Sequence, residues 1–559
     1  MNKKIIILLL SIILIGMGYL VYQEMHPNNE TITSVDNIDT TASTIDYEKE
    51  EVIFDEEGKV TINLSEVNDV YNITSTGVYY FTGTLNNGYI KVNTTQNVEI
   101  ILDNVTITNN SGPCIYIENA NNTYIKLIGE NTLTDGENYT GFTDVDACIF
   151  SKDDLIIYGE GTLNIKANYQ DGIVSKDDLT IENGVFNIYS KDDAIRGKDS
   201  VVIENGTFNI EALSDGIKST NDTDTDKGNI LIINGTFNIK CNHDAIQSEN
   251  NLEIDNGVFN ITTNNGAKTV STYRGMDGNS TKTTESSKAI KAVGDILIKN
   301  GTFDINSYDD AIHSDDAINI NGGEFKISTS DDGIHADNSI TINNGTINIT
   351  NSYEGIEANY IIINDGNIKL VARDDGINVS GGADSSGFGG RGRTTNTSSN
   401  NKLVINGGNI YVNSTGDGLD ANGSIYLTGG IVYVDGPTDN GNASLDYDGS
   451  FEITGGTIVA AGSSGMMQNA TNSNQGTVLI YFSNTITGGT SIKIGDISYT
   501  PSKNFNCILI SSNTLKVGNT YDIMVNENKY ESITLSNTIT SIGNGSMVNG
   551  MGRGGRGRY

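Results

Sequence analysis

Aspartate recurs through the middle of the chain at a nearly fixed interval. Asp171, Asp193, Asp215, Asp244, Asp310, Asp332, Asp375, Asp417 and Asp439 fall in one column, with Glu354 and Lys288 in the same place in two repeats. A second aspartate precedes several of them, at Asp192, Asp309, Asp331 and Asp374. Carboxylates from neighbouring repeats are hard oxygen donors, and calcium takes six to eight such oxygens together with carbonyls and water. The candidate calcium ligands are therefore Asp171, Asp192, Asp193, Asp215, Asp244, Asp309, Asp310, Asp331, Asp332, Asp374, Asp375 and Asp417. The first member of each pair is expected outermost.

Such a column needs relief. Two ionised carboxylates ~4.8 Å apart repel by about 3.5 kcal/mol at an effective dielectric of ~20. Turn N–H groups can supply the relief, as can local cations such as Lys176, Lys191, Lys198, Lys218 and Lys288, or a bound metal. A further acidic set, Asp153, Asp154, Asp177, Asp178, Asp199, Asp315, Asp316 and Asp337, reads as solvated turn charge.

The elements that hold the column are short strands. A glycine opens each repeat, from Gly184 and Gly206 to Gly430 and Gly456, and two residues later stands an apolar position: Phe186, Phe208, Phe237, Phe259, Phe303, Phe325, then Ile or Val. A second apolar column, from Ile173 to Leu419, follows the aspartates. Three short alternating segments per repeat, separated by Asn-Gly and Asp-Gly turns, cannot bury their own apolar face, so each must stack on the next. The expected fold is all-β, a parallel β-helix of about 22 residues and three strands per coil, with roughly a dozen coils at ~4.8 Å each. Two repeats carry long basic insertions containing Lys268, Arg274 and Lys282, and Arg391 and Arg393, which read as loops over one face.

Composition agrees with a β-rich, acidic repeat. The 559 residues include 64 Gly, 4 Pro and no Trp, and the formal charge is −36. That surface repels nucleic acid and anionic lipid and attracts cations. Cys114, Cys148, Cys241 and Cys507 lack metal-ligand spacing and read as isolated buried thiols. Residues 1–24 form a signal peptide or membrane anchor with an apolar run over 5–22, and residues 25–47 a flexible linker. The β-helix domain spans 48–473, with irregular coils over 48–145 and regular ones over 146–473. A C-terminal β cap of antiparallel hairpins follows over 474–540, then a Gly/Arg-rich tail over 541–559.

The fold also hosts lyases and hydrolases, so catalysis has to be read from residues. Arg196, Lys218 and Arg373 could serve as bases, but beside acids they are ordinarily ion-pair partners. A hydrolytic carboxylate pair should be a local exception, and here aspartate pairs recur along the repeats. His243, His313 and His335 flank the column without a Gly-His-Gly triplet. A repeating rod suits a repeating polymer. With no Trp, sugar stacking falls to tyrosines: Tyr189, Tyr308 and Tyr353, which recur at or near one point of the coil, and Tyr273 with Arg274 in the first insertion.

The segments "GVYYFTGTLNNGYIKVN", "VEIILDNVTITNNSGPCIYIEN" and "IKLIGENTLTDG", the "DGI" or "DAI" coils with "NGTFNI", the glycine-rich loop and "ILISSNTLKVGNTYDI" together resemble a clostridial carbohydrate-binding family. The resemblance covers residues 48–535 and implies a right-handed, polysaccharide-lyase-like parallel β-helix. It also implies Ca²⁺ binding and attachment to cellulose and acidic pectic chains, without established catalysis. The resulting expectation is an extracellular monomer, secreted or tethered through residues 5–22, that binds polysaccharide with calcium and has no nucleic-acid partner. A calcium-dependent lyase on uronate polymers and a calcium-stiffened surface rod are the alternatives.

Overall fold

In the computed structural model, which describes residues 42–49, 52–54, 56–268, 285–380 and 401–543, the chain is almost entirely strand and turn. A representative coil comprises Val185–Ser190, Ile195–Gly197 and Ser200–Ile203. Each strand pairs in parallel with its counterpart one coil on: Phe186 with Phe208, Ile195 with Ile217, Val201 with Ile230. The result is a β-solenoid of about 16 turns. The count exceeds a dozen because the segments before residue 146 stack too: Val60–Asn63 pairs in parallel with Gly77–Leu85, and that strand with Val98–Thr108. Their spacing is irregular in sequence while their ladder is continuous.

Parallel stacking puts each side chain over its copy. Phe186, Phe208, Phe237, Phe259, Phe303 and Phe325 form one file of rings, with centroids 4.6 to 5.0 Å apart and planes within 4°. On the outer face of the same strand, Asn164, Asn187, Asn209, Asn238 and Asn260 form an amide ladder, each Nδ2 donating to the preceding Oδ1 at 2.7 to 2.9 Å. The glycine before each Phe is required by space and backbone. At Gly235, φ is +144° and a Cβ would lie 2.9 Å from the Phe237 ring and 3.2 Å from the Gly206 carbonyl.

The stack ends by reversing direction. Thr457–Gly462, the last strand of the Phe file's sheet, pairs antiparallel with Phe505–Ser512, which also pairs antiparallel with Gly476–Ile486. A separate four-stranded antiparallel sheet, Ile492–Ile494, Ile497–Tyr499, Thr520–Val525 and Asn528–Thr534, closes over it with its own small core. This cap covers the strand edges that would otherwise template further pairing.

Near the N-terminus, part of the stretch read as linker lies against the rod. The Ser43 N–H donates to Asp295 at 2.8 Å and the Ile45 N–H to Glu253 at 2.6 Å. The Tyr47 hydroxyl donates to Glu204 at 3.0 Å, and Lys49 pairs with Glu182 and Glu204 at 3.1 and 3.0 Å. An acidic ridge of several coils thus holds an extended segment with no periodic pattern of its own. Among the described residues no helix is long and apolar enough to cross a membrane. Residues 1–24, read as leader or anchor, lie outside the described residues, as does the tail from 544.

The ring file makes a quantitative prediction. Phe237→Ala, which opens a gap in a fully buried stack, should cost ~3–5 kcal/mol in urea unfolding. Asn238→Ala, on the exposed side of the same strand, should cost about 1 kcal/mol or less. Equal losses would contradict the assignment of stability to the ring file.

Candidate functional site

The aspartate column lies in the turn between the Phe strand and the following short strand. One oxygen of each carboxylate is used the same way along the rod. Oδ1 of Asp171, Asp193, Asp215 and Asp244 accepts the backbone N–H of the column residue one coil on, at 3.0, 3.1, 2.8 and 2.7 Å. Asp310, Asp332 and Asp375 repeat the bond at 2.9, 2.9 and 2.5 Å, and Asp417 gives it to Ala443. Relief by turn N–H groups thus operates between coils rather than within one. Asp439 does not belong to the column: the turn that contains it is four residues longer than its neighbours, so Ala443 takes the position.

The second oxygens face the side chains that stand three positions after each column residue, drawn for some aspartates from the same coil and for others from the next. In register, that row reads Arg196, Lys218, Gln247, Lys291, His313, His335, Glu357, Asn378, Asp420, Asp446. Its first part is cationic. Arg196 pairs with Asp171 and Asp146, Lys218 with Asp215 at 2.6 Å, and Lys291 with Asp244 at 3.3 Å. Lys288, the cation inside the column itself, is buried and lies 2.6 Å from Asp310 and 3.3 Å from Asp309. Burial still pushes Asp171 up to about 8 and Asp215 to about 6, against the pull of Arg196 and Lys218. Burial presses the same way on Asp310, yet Lys288 and His313 hold it well below the usual range.

From Glu357 onward the row is acidic or neutral. Oxygens of Asp375, Asp417 and Asp420 lie within 4.8 Å of one another, and the three side chains are only half-buried. Among the described residues, no Lys, Arg or His forms an ion pair with them. Burial and neighbouring carboxylates push Asp375 up to about 9, Asp420 to about 7 and Asp417 to about 6. Asn378 sits between Glu357 and Asp420 in the row, 5 % exposed. Its Nδ2 donates to Glu354 at 2.6 Å, while its Oδ1 is buried and accepts nothing. Gly416 leaves the cluster room, because a Cβ there would run into Oδ1 of Asp374 and Asp375. Three clustered carboxylates beside a glycine are a donor set suited to a hard divalent cation.

The remaining candidates separate by place. Asp171, Asp192 and Asp193 come together, as do Asp309, Asp310 and Asp331, but both groups adjoin the protein's own cations. Asp215 and Asp244 each meet a lysine, and Asp332 faces His335. Asp331, expected outermost, is buried under the following turn, whose Tyr353 N–H donates to its carbonyl. Tyr308 and Tyr353 share one turn position, each just after the small buried residue that closes the Phe-file strand. Tyr189 stands two residues earlier, on the strand itself. Lys268 lies 4.3 Å over the Tyr308 ring and Arg373 5.9 Å over Tyr353. Tyr273 and Arg274 lie outside the described residues. All four cysteines are free and buried.

A family model described as carbohydrate-binding domain-containing protein matches residues 67–333 and 331–390. The chain belongs to that family. A carbohydrate-binding domain-containing protein of Acetivibrio thermocellus is 41% identical over 121 residues, 20% of this chain and 42% of that relative's length. A solved structure described as the polysaccharide lyase-like protein from C. thermocellum, a gadolinium derivative, is 30% identical, with a TM-score of 0.37. It covers 43% of this chain and 96% of its own.

The raised carboxylates set a pH dependence. A carboxyl raised in the folded state binds its proton more tightly there, so the stability it contributes is full at low pH and lost as pH rises through the folded value. In chelator, the melting temperature should fall between pH 5 and 9, and Asp420→Asn should recover part of the loss at pH 8. A chelator-treated protein whose melting temperature stays flat across that range would contradict the assignment.

Proposed function

We propose that this carbohydrate-binding chain works outside the cell as a calcium-dependent binder of acidic, pectic polysaccharide. One observation supports the reading: the outward row turns from cationic to acidic at Glu357, and among the described residues no Lys, Arg or His pairs with the half-exposed Asp375, Asp417 and Asp420. Asp375, Asp417 and Asp420 would hold Ca²⁺, which takes such oxygens and keeps positions for water or ligand. Bound calcium supplies the positive charge that a uronate carboxylate needs on a surface of net charge −36. Many weak contacts along one polymer then add through effective concentration. Tyr308 and Tyr353, each with a cation over its ring, offer stacking faces for a neutral chain such as cellulose. The apolar run over 5–22 would export or tether the rod.

The test is retention of residues 48–559 on insoluble polygalacturonate and on cellulose, with calcium and with chelator, while the supernatant is assayed for unsaturated sugar ends. Calcium-dependent retention on polygalacturonate without product is expected. An Asp417→Asn/Asp420→Asn variant should lose it by tenfold or more, whereas Asp304→Asn, an exposed aspartate paired with Lys326, should retain it. Product formation would make the chain a lyase, and no retention on either polymer would leave a structural rod.

A further inference from the structure

His335 stands where the outward row changes sign, and its surroundings differ from those of every other residue in that row. The ring is 3 % exposed and stacks on His313 with centroids 4.9 Å apart and planes at 15°. At His313, Nδ1 meets one carboxylate, Asp310 at 2.8 Å, which Lys288 already neutralises at 2.6 Å. At His335, Nδ1 faces two, Glu357 Oε2 at 3.2 Å and Asp332 Oδ2 at 3.4 Å, and no lysine or arginine pairs with either among the described residues.

Each of these groups is held by its other end. Nε2 of His335 lies 3.3 Å from Asp337 Oδ1, a carboxylate partner on the far side of the ring from Nδ1. Oδ1 of Asp332 accepts the Glu354 N–H at 2.9 Å, and Oε1 of Glu357 accepts the Ser380 hydroxyl at 2.5 Å. One nitrogen and two carboxylate oxygens therefore converge, each with its orientation fixed by a second partner. A carboxylate bonded to the far side of a ligating imidazole is the support metal-binding histidines ordinarily have.

The geometry points to a site for a first-row divalent transition metal, with Zn²⁺ as the ion the donor set suits, formed by His335, Asp332 and Glu357. Ligand atoms ~2.0–2.1 Å from a tetrahedral zinc lie roughly 3.3–3.4 Å from one another. The two separations at Nδ1, 3.2 and 3.4 Å, are close to that spacing, and all three ligand atoms lie within 4.8 Å of one another. Three protein ligands leave a fourth position for water. Binding displaces the proton that Nδ1 otherwise shares with the two carboxylates and releases it to solvent. Calcium, which prefers oxygen, does not compete well for a site built around an imidazole nitrogen. The site is separate from the Asp375, Asp417 and Asp420 cluster, and the two stand or fall independently.

The full chain, stripped with chelator, is dialysed against micromolar Zn²⁺ in millimolar Ca²⁺ and its zinc measured by mass spectrometry, with Co²⁺ as a visible-absorption probe. About one zinc per chain is expected, with the intense visible bands of tetrahedral cobalt. His335→Gln should abolish both, and Glu357→Gln, a near-isosteric change at a partly exposed position, should weaken binding at least tenfold. His313→Gln and Asp417→Asn should keep both signals. Absence of stoichiometric zinc in excess calcium, or zinc binding unchanged in His335→Gln and Glu357→Gln, would overturn the site.

Discussion

Parallel stacking at ~4.8 Å forces every side chain to sit against its own copy in the next coil. For apolar and amide groups that constraint is favourable: the six-ring Phe file and the Asn ladder exist because like meets like. For carboxylates it is a cost, and the organisation of the turn face follows from how that cost is met. Half of each aspartate is spent on the backbone of the next coil, which ties successive turns together whatever lies outside. The other half needs a cation.

Among the described residues, that cation comes from the protein over one part of the column only. Arg196, Lys218, Lys288, Lys291 and, when protonated, His313 and His335 answer the column from Asp171 to Asp332. Beyond them Glu357, Asn378, Asp420 and Asp446 stand where cations stood, so the same ladder becomes an anionic surface. The change of charge along this face arises from substitutions in a single column while the fold repeats unchanged underneath. Stability and cation demand are therefore separable along one solenoid.

Much of this was legible in the sequence, for a physical reason. The Gly, Phe, Ile and Asp columns are fixed by packing and ladder geometry, so they recur with the coil and their spacing reveals them. Lys288 declared itself by breaking a column of acids. The residues that create the uncompensated cluster did not: Asn378, Asp420 and Glu357 lie in an outward row whose residue types vary from coil to coil, so no period marks them. Asp439 keeps the sequence interval of the column but not its place, because its turn is four residues longer than its neighbours. Ser43 to Lys49 dock through backbone N–H groups and single side chains onto an acidic ridge, a contact that leaves no pattern in either segment. Tyr189 seemed equivalent to Tyr308 because both precede an aspartate pair, but strand register separates them by two positions.

We propose that the carboxylates with no cation partner among the described residues, and not the aspartate column as such, take up calcium. Diffraction from crystals grown in calcium, recorded at long wavelength for its anomalous signal, tests this directly. The account predicts calcium density among Asp375, Asp417 and Asp420 and none beside Asp215, Asp244 or Asp310, where lysines already sit. Calcium lodged evenly along the column, or held only beside the lysine-paired aspartates, would contradict it.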